Sequence, residues 1–241
     1  MSDIISSKNN QRVKDAFALK GKGGDRFLVE GFHLCQMAFE HNCLEEVFAI
    51  DEPPFSVPLS HLVNKEIINK LSLSVTPEPI VGVAVRPQEK PYAKTRALVL
   101  DRVQDPGNVG TLLRTALAFG FEDIVFLPGT CSPFNPKAIA SSQGAIFNLS
   151  LHFPISEKEA VRVLKNEGYR LVGSALTDNS KPEEGYAFPK DRLALVLGNE
   201  GKGMSESLLS SCDDVLKIAI TGIDSLNVGI AGGILMHDAS K

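Results

Sequence analysis

Short apolar segments alternate with amphipathic segments along most of the chain. The two clearest apolar runs cover residues 193–197 and 215–220, and each ends at a turn rich in Gly, Asp or Asn. Short runs of Leu and β-branched residues bounded in this way are typical of buried parallel strands. In open α/β sheets, ligands bind at the carboxyl ends of such strands. We therefore expect the functional site in the loops that follow these two runs.

The rest of the pattern predicts an α/β fold. Apolar positions at helical spacing predict helices over residues 9–19, 32–41, 61–71, 108–119, 136–142 and 157–166, and a final helix from Ser225. Further apolar runs predict strands over residues 27–29, 47–50, 80–85, 98–100, 124–127, 147–151 and 171–175. Strands that alternate with helices predict a mostly parallel sheet covered on both faces.

A break in the pattern predicts two domains. The segment RPQEKPYAKTR at residues 86–96 combines two prolines with charge and has no apolar period. These features are typical of a linker. We predict a smaller α/β domain over residues 1–86, a linker over 87–96 and a larger domain over 97–241.

The composition is that of a soluble globular protein, with 43% hydrophobic and 22% charged residues among 241. No apolar run approaches the roughly 20 residues that cross a bilayer, and the N-terminus lacks the apolar core of a signal peptide. The four cysteines show no CxxC or Cys/His spacing, which favours reduced thiols over a metal site. We expect a cytoplasmic protein with no membrane partner and no metal.

The net charge of −4 hides a basic segment near the N-terminus, where six basic residues between Lys8 and Arg26 stand against two acidic ones. Such a segment can contact the phosphates of a nucleic acid. A solvated helix face accounts for the charge equally well. The candidate RNA contacts are Lys8, Arg12, Lys14, Lys22 and Arg26.

The glycine-rich segment GNEGKGMS at residues 198–205 does not fit the common nucleotide-binding motifs. A GxxxxGK[ST] phosphate loop needs Lys where Met204 stands, and GxGxxG needs Gly where Glu206 stands. A nucleoside triphosphatase or a dinucleotide-dependent oxidoreductase is therefore disfavoured. What remains is a turn that carries one acidic side chain, Glu200, and an ordinary polar loop has the same features.

The segment NVGTLLRTALAFG at residues 108–120 predicts a helix with a single apolar stripe. Arg114 lies about 140° from the centre of that stripe, so the pattern alone predicts a solvent-facing side chain. Asn108 follows Asp-Pro-Gly and is a candidate cap for this helix.

The last predicted helix, SLNVGIAGGILMHDAS, contains Gly229, Gly232 and Gly233. Each glycine costs about 1 kcal/mol relative to Ala inside a helix. We therefore expect another backbone to pack close, in a helix crossing, at a subunit interface or at a bound ligand. Ser225 is a candidate N-cap, which would place Asn227 in the first turn.

Three segments in this order and near these separations resemble the motifs of the SpoU-type RNA ribose 2′-O-methyltransferases of the SPOUT superfamily. They are NVGTLLRTALAFG, LVLGNEGKGMS and IAITGIDSLNVGIAGGILMHDAS. SSQGAIFNLSL is similar to the segment between the first two motifs, and SSKNNQRVK and DRFLVEGFHL are similar to the family's N-terminal L30e-like substrate-binding domain. The resemblance implies a C-terminal domain with a deep trefoil knot, a homodimer, and S-adenosylmethionine bound in a bent form within the knot.

Residue by residue, the resemblance implies two sets of site residues. Gly198, Ile218 and Leu226 fall at cofactor-contacting positions, and Asn199, Gly201 and Ala219 lie in the same loops. The polar positions of the family correspond to Asn108, Arg114, Glu200, Ser225 and Asn227. Two residues depart from the family pattern, because Ala219 stands at a common Pro and Gly229 at a common Ser.

The implied chemistry requires a ribose 2′-hydroxyl to lose its proton while it is aligned with an activated methyl group. Arg114 corresponds to the family's proposed base, but a guanidinium stays protonated up to about pH 12. We therefore assign it to positioning phosphate and hydroxyl, and expect it to become basic only in the closed complex, if at all. Asn108, Ser225 and Asn227 would orient Arg114 and the ribose, and Glu200 would anchor its loop.

The expected substrate is structured RNA, since only RNA offers the 2′-hydroxyl. Large-subunit ribosomal RNA is favoured over transfer RNA, because the L30e-like domain accompanies that branch of the family more often. A non-catalytic RNA-binding or assembly factor of the same fold is the competing class. A Rossmann-type oxidoreductase is the third, and it would bind a dinucleotide.

Overall fold

The computed structural model describes residues 3–21, 24–93 and 95–241, and the chain divides into two compact units. The first unit comprises residues 1–88 and 132–147, and the second comprises residues 89–131 and 148–241. Residues 132–147 therefore belong to the first unit by their contacts, although the predicted domains are contiguous in sequence. The predicted boundaries at residues 86 and 97 stay a proposal.

The first unit contains a five-stranded mixed sheet with the strand order β1-β4-β3-β5-β2. The strands β1 to β5 are Asp3–Ile5, Arg26–Glu30, Leu44–Ala49, Leu59–Val63 and Ile80–Val85. Its first three helices, α1 to α3, are Gln11–Ala18, Phe32–Glu40 and Lys65–Leu71. Strands β1, β3 and β4 pair in parallel, whereas β5 is antiparallel to both β2 and β3.

The second unit contains a seven-stranded sheet with the order β10-β12-β9-β11-β6-β7-β8, and its neighbouring strands pair in parallel. The strands β6 to β12 are Arg96–Leu100, Asp123–Phe126, Ser150–His152, Arg170–Ser174, Lys181–Pro182, Leu193–Leu197 and Asp214–Lys217. Its helices are α4, α7, α8 and α9, which cover Pro106–Ala118, Glu157–Asn166, Glu206–Ser211 and Val228–Ser240. Helices α5 (Pro136–Ser142) and α6 (Ala145–Asn148) lie in or at the end of the segment 132–147, which belongs to the first unit. This confirms the predicted α/β class with a mostly parallel sheet. The trefoil knot stays a prediction.

Helices cover both faces of this sheet. Successive side chains of β11 point to opposite faces, and each set packs against helices. Ala194 and Val196 belong to a buried cluster that also includes Leu164 of α7 and Leu208 of α8. The side chain of Leu197 points to the opposite face, as the period of two in a strand requires, and there it meets α9. All five residues of β11 are buried, as expected for a central parallel strand.

The segment that joins the first unit, residues 132–147, is attached by aromatic packing. The Phe27 ring lies 5.1 Å from that of Phe134 and 6.3 Å from that of Phe147, measured between centroids. All three phenylalanines are buried. Each buried ring of this kind contributes about 1.5–3 kcal/mol, so the segment is an integral part of the first unit.

Some predicted elements were wrong in their extent. The predicted helix over 61–71 is a strand up to Val63, and α3 begins only at Lys65, after the cap Asn64. Strand β4 pairs with β1 and β3, and this pairing overrides the helical spacing of its residues. The predicted strand over 147–151 is shortened to β8 by the end of α6, and β12 stops at Lys217 instead of residue 220. Strands β1 and β10 and helix α8 are too short to show a period, and they were not predicted.

The glycines of α9 allow this helix to pack against α4 and β11. A Cβ atom on Gly232 would lie 2.5 Å from Leu112 Cδ2 and 2.7 Å from Leu197 Cδ1. A Cβ atom on Gly233 would meet nothing nearer than Thr115 Cγ2 at 3.9 Å. The expected close approach is therefore a helix crossing, but the partners are leucine side chains and not a second backbone.

This difference predicts opposite effects for two neighbouring substitutions. Gly232→Ala gains about 1 kcal/mol of helix propensity but overpacks the core at a cost of about 1–3 kcal/mol, so we expect net destabilisation. Gly233→Ala has room for its methyl group and should be stabilising by up to about 1 kcal/mol. Urea unfolding measures both free energies. Equal effects of the two substitutions would contradict the packing described here.

Candidate functional site

A cavity of about 440 Å³ opens in the second unit at the carboxyl ends of β9, β11 and β12. Ser174, Leu197 and Lys217, the last residues of these strands, all line it. The loop of residues 198–204 and the segment before α9 complete the walls. The cavity thus lies in the region where the apolar runs of the sequence predict a site.

Five of the six predicted cofactor residues line this cavity. They are Gly198, Asn199, Gly201, Ile218 and Leu226. Ala219 does not line it, because its side chain is exposed and its N–H group donates to Glu183 Oε2 at 3.3 Å. Residues 218 and 220 face the cavity on either side of it, so the chain turns Ala219 outward.

The loop after β11 folds back on itself. The backbone N–H groups of Asn199 and Gly203 donate to each other's carbonyl oxygens at 3.1 and 2.9 Å. A Cβ atom on Gly198 would lie 2.2 Å from the backbone nitrogen of Met204. Since backbone cannot move aside as a flexible side chain can, only glycine fits at residue 198.

A buried carboxylate that sequence analysis missed secures this loop. Asp101, directly after β6, is 2% exposed and accepts from the Ser205 N–H group at 2.9 Å and from Arg102 Nε at 2.8 Å. Asn199 Nδ2 in turn donates to the Arg102 carbonyl oxygen at 2.8 Å. The signal for Asp101 in the sequence was an acidic residue that directly follows a buried strand.

Three of the predicted polar site residues form one hydrogen-bonded chain. Asn227 Nδ2 donates to Asn108 Oδ1 at 3.0 Å, and Asn108 Nδ2 donates to Glu200 Oε1 at 3.1 Å. The N–H groups of Gln104 and Asp105 also donate to the Glu200 carboxylate, at 3.2 and 3.1 Å. The structure therefore brings residues from all three motifs together at the rim of the cavity.

These contacts change the acidity of Glu200. Partial burial acts to raise the pKa of Glu200, but the hydrogen bonds from Asn108 and from the Asp105 and Gln104 N–H groups outweigh it. The pKa is consequently lowered from its ordinary value of 4.5. Glu200 is a carboxylate at neutral pH, and it acts here as an acceptor that joins two loops.

Both candidate helix caps were wrong. Helix α4 begins at Pro106 and is capped by Asp105, whose Oδ1 accepts from the Asn108 N–H group at 3.0 Å. Helix α9 is capped by Asn227, whose Oδ1 accepts from the Gly229 N–H group at 2.8 Å. Ser225 lies before the helix, exposed and lining the cavity. Residue type alone does not distinguish between these neighbouring candidates.

Arg114 stands apart from this chain of hydrogen bonds. Its side chain is exposed on α4, as the apolar stripe predicted, and no carboxylate of the described residues pairs with it. It lies six residues beyond Asn108, about 9 Å along the helix axis. The guanidinium is thus available to an incoming anion.

The cavity fits S-adenosylmethionine in size and in chemistry. Its volume lies within the range of about 300–1,000 Å³ for small-molecule sites. One wall is apolar and suits an adenine ring, with Leu197, Ile218, Ile220, Leu226 and Val228. Two cationic side chains, Lys202 and Lys217, can attract a carboxylate, whereas the lining carboxylate of Glu200 is already engaged by Asn108.

Most of the predicted RNA contacts carry ion pairs in the first unit. The distances are 3.1 Å from Lys8 Nζ to Glu66 Oε2, 3.3 Å from Arg12 Nη1 to Glu46 Oε1, and 2.8 Å from Arg26 Nε to Glu45 Oε2. Lys14 is exposed, and no carboxylate of the described residues pairs with it. Lys22 lies outside the described residues.

Comparisons with known proteins agree with this geometry. The model of the SpoU rRNA Methylase family matches residues 95–237. The 23S rRNA (guanosine(2553)-2′-O)-methyltransferase RlmP of Bacillus subtilis is 34% identical, over 97% of each chain.

No described helix is both long enough and apolar enough to pass through a membrane.

Solved structures show the same fold. An rRNA methyltransferase from Sinorhizobium meliloti with bound AdoMet is similar with a TM-score of 0.88 and 25% identity, over 99% of this chain and 97% of that one. The SpoU methyltransferase AviRb from Streptomyces viridochromogenes has a TM-score of 0.83 at 22% identity, over 96% and 98% of the two chains. The second likeness concerns the fold alone.

The lowered pKa of Glu200 makes a prediction about pH. The hydrogen bonds in the folded state favour the charged form of Glu200. Its contribution to the free energy of unfolding is therefore fully present above the ordinary pKa of about 4.5, and it is lost as the pH falls through the lower pKa of the folded state. We expect Glu200→Gln to lower the melting temperature at pH 7, and the difference from the unsubstituted protein to narrow below about pH 4.5.

Calorimetric melting at several pH values measures this difference. Asn108→Ala removes the side-chain donor to Glu200 and completes a double-mutant cycle. Because both substitutions break the same hydrogen bond, the double variant should lose less stability than the sum of the two single variants. The proposed anchoring would be contradicted if Glu200→Gln lowered the melting temperature by the same amount at pH 7 and at pH 4.

Proposed function

Because this chain belongs to the SpoU rRNA methylase family, we propose that it methylates a ribose 2′-hydroxyl in large-subunit ribosomal RNA, with S-adenosylmethionine as the methyl donor. The observation that carries this proposal is the cavity at the strand ends, with the Asn227–Asn108–Glu200 chain at its rim. The B. subtilis relative named for 23S rRNA matches 97% of this chain, which favours ribosomal RNA over transfer RNA.

The first task of the protein is to hold the cofactor. Bound S-adenosylmethionine supplies a methyl group that its sulfonium already activates. The loop at Gly198 and the residues after β12 provide backbone groups and an apolar surface for it. Because Gly198 admits no side chain, the loop can approach a ligand closely without a Cβ atom in the way.

The second task is to prepare the ribose. The 2′-hydroxyl is a weak nucleophile, so positioning and removal of its proton determine the rate. We assign Arg114 to the RNA phosphate and the hydroxyl, since the guanidinium is exposed and carries a permanent charge. We assign Asn108 and Ser225 to orienting the ribose, since Ser225 lines the cavity and Glu200 keeps Asn108 oriented.

We propose a homodimer formed through the second unit, with a trefoil knot in that unit. Leu117 on α4 is 40% exposed and Ile230 on α9 is 57% exposed, so these two packed helices leave apolar surface that a second copy can cover. We also propose that the protein works in the cytoplasm.

Mass spectrometric mapping of ribose methylation tests the activity. RNA from a strain that lacks this protein should miss one 2′-O-methyl group in large-subunit ribosomal RNA, and the purified protein should restore it. We expect Arg114→Ala to abolish the restoration while it leaves the affinity for S-adenosylmethionine within a few-fold, because Arg114 does not line the cavity.

Arg162→Ala is the matched control, since Arg162 is an exposed arginine on α7. It should methylate normally. Normal methylation by Arg114→Ala would remove the role assigned here. No calorimetric binding of S-adenosylmethionine to the unsubstituted protein would favour a non-catalytic RNA-binding factor.

The cofactor carboxylate gives a second prediction. Lys217 ends β12 and is half-buried at the cavity wall, whereas Lys202 is exposed in the loop after β11. We assign the carboxylate to Lys217, because a charge held on a strand loses less freedom on binding. Lys217→Met should weaken the binding of S-adenosylhomocysteine by about tenfold.

Calorimetry with 5′-methylthioadenosine provides the internal control, since this molecule lacks the carboxylate-bearing group. Its affinity should not change in Lys217→Met, and Lys202→Met should leave both ligands within about twofold. Equal weakening of the two ligands by Lys217→Met would show a general change in the cavity and contradict the assignment.

A further inference from the structure

An exposed aromatic side chain on α1 lies beside two lysines in the first unit. Phe17 is 45% exposed, and the ammonium groups of Lys20 and Lys70 lie 5.9 and 5.3 Å from the centre of its ring. Distances below about 6 Å are those of cation–π contacts. The three side chains form what we call the Phe17 patch.

The core of the first unit does not require Phe17. Helix α1 is anchored by Val13 and Ala16, which are buried in a cluster with Ile67 and Ile68 of α3. By contrast, Phe32 has a similar exposure of 43% but lies 5.8 Å from the ring of Phe55, centroid to centroid. An exposed phenyl ring beside two cations is a surface suited to a ligand that is both aromatic and anionic.

Backbone carbonyl oxygens hold the two lysines in place. Lys20 Nζ donates to the Lys70 carbonyl oxygen at 3.2 Å, and Lys70 Nζ donates to the Lys8 carbonyl oxygen at 2.8 Å. No carboxylate of the described residues pairs with either ammonium group. Since an ammonium group has three donors, each lysine retains donors and its full charge for an anion.

The surroundings of the patch are basic. Lys14 lies three residues before Phe17 and is exposed on the neighbouring part of the helix surface. Asp15 lies about 160° around the helix from Phe17. Glu66 of α3 is paired with Lys8 at 3.1 Å. The positive charge around the ring therefore favours a polyanion as the ligand.

We propose that the Phe17 patch binds one unpaired nucleotide of the RNA, with the base stacked on Phe17 and a phosphate between Lys20 and Lys70. Stacking of bases on aromatic side chains beside positive charge is the usual means of binding single-stranded nucleic acid. This site is additional to the reaction cavity, and it rests on the proposed function only in taking RNA as the ligand.

The chain contains no tryptophan, which permits a direct optical test. Phe17→Trp introduces a single indole at the patch. Titration of the full chain with a single-stranded RNA of about ten nucleotides should quench its fluorescence, because a stacked base quenches indole emission. Phe32→Trp is the matched control, and its fluorescence should not respond to the same RNA.

Affinity measurements complete the test. Phe17→Ala should weaken binding of the single-stranded RNA by about tenfold. Lys20→Met and Lys70→Met should each reduce the salt dependence of binding, by about 0.7 in the slope of log K against log salt. Thermal melting of each variant verifies the fold, and the Phe17→Trp result does not depend on the alanine variant.

The outcomes separate this inference from the proposed function. Normal methylation of ribosomal RNA together with an unquenched Phe17→Trp would overturn the nucleotide site alone. Quenching by a blunt RNA duplex as strong as that by the single strand would overturn base stacking. Quenching without any methyl transfer would support the patch while it contradicts the proposed activity.

Discussion

The buried carboxylate of Asp101 is the contact on which the cavity at the strand ends depends. It lies between the ends of β6 and β11, two central strands of the parallel sheet, and it ties the loops that follow both of them. Its own N–H group donates to the Leu197 carbonyl oxygen at 2.8 Å, so even the backbone joins the two strand ends. A charge at 2% exposure is tolerated only because several donors surround it.

A series of hydrogen bonds connects Asp101 to the polar rim of the cavity. Asp101 holds Arg102 and the Ser205 backbone, and the Arg102 carbonyl oxygen holds Asn199. Glu200, the next residue, then accepts from Asn108 of α4, which accepts from Asn227 at the start of α9. The polar rim is therefore built on backbone positions that the sheet determines, whereas Arg114 remains outside it and is exposed to solvent.

The sequence predicted the α/β class, the parallel sheet, the sites of most helices and the loops that form the cavity. These features follow from local periodicity and from glycine-rich turns. The sequence did not predict β4, because pairing with β1 and β3 overrides the helical spacing of its residues. Nor did it predict the outward turn of Ala219, whose N–H group donates to Glu183. Asp101 was missed because one of its donors, the Ser205 N–H group, comes from a loop about a hundred residues later.

The packing of residues 132–147 determines how modular this protein is. The chain passes from one unit to the other three times, after residues 88, 131 and 147, and a single cut cannot separate the units. A fragment that starts after the linker would carry Phe134 and Phe147 with no Phe27 to cover them. Recombination with another N-terminal domain would fail unless this excursion were exchanged with it, so the two halves have to evolve together.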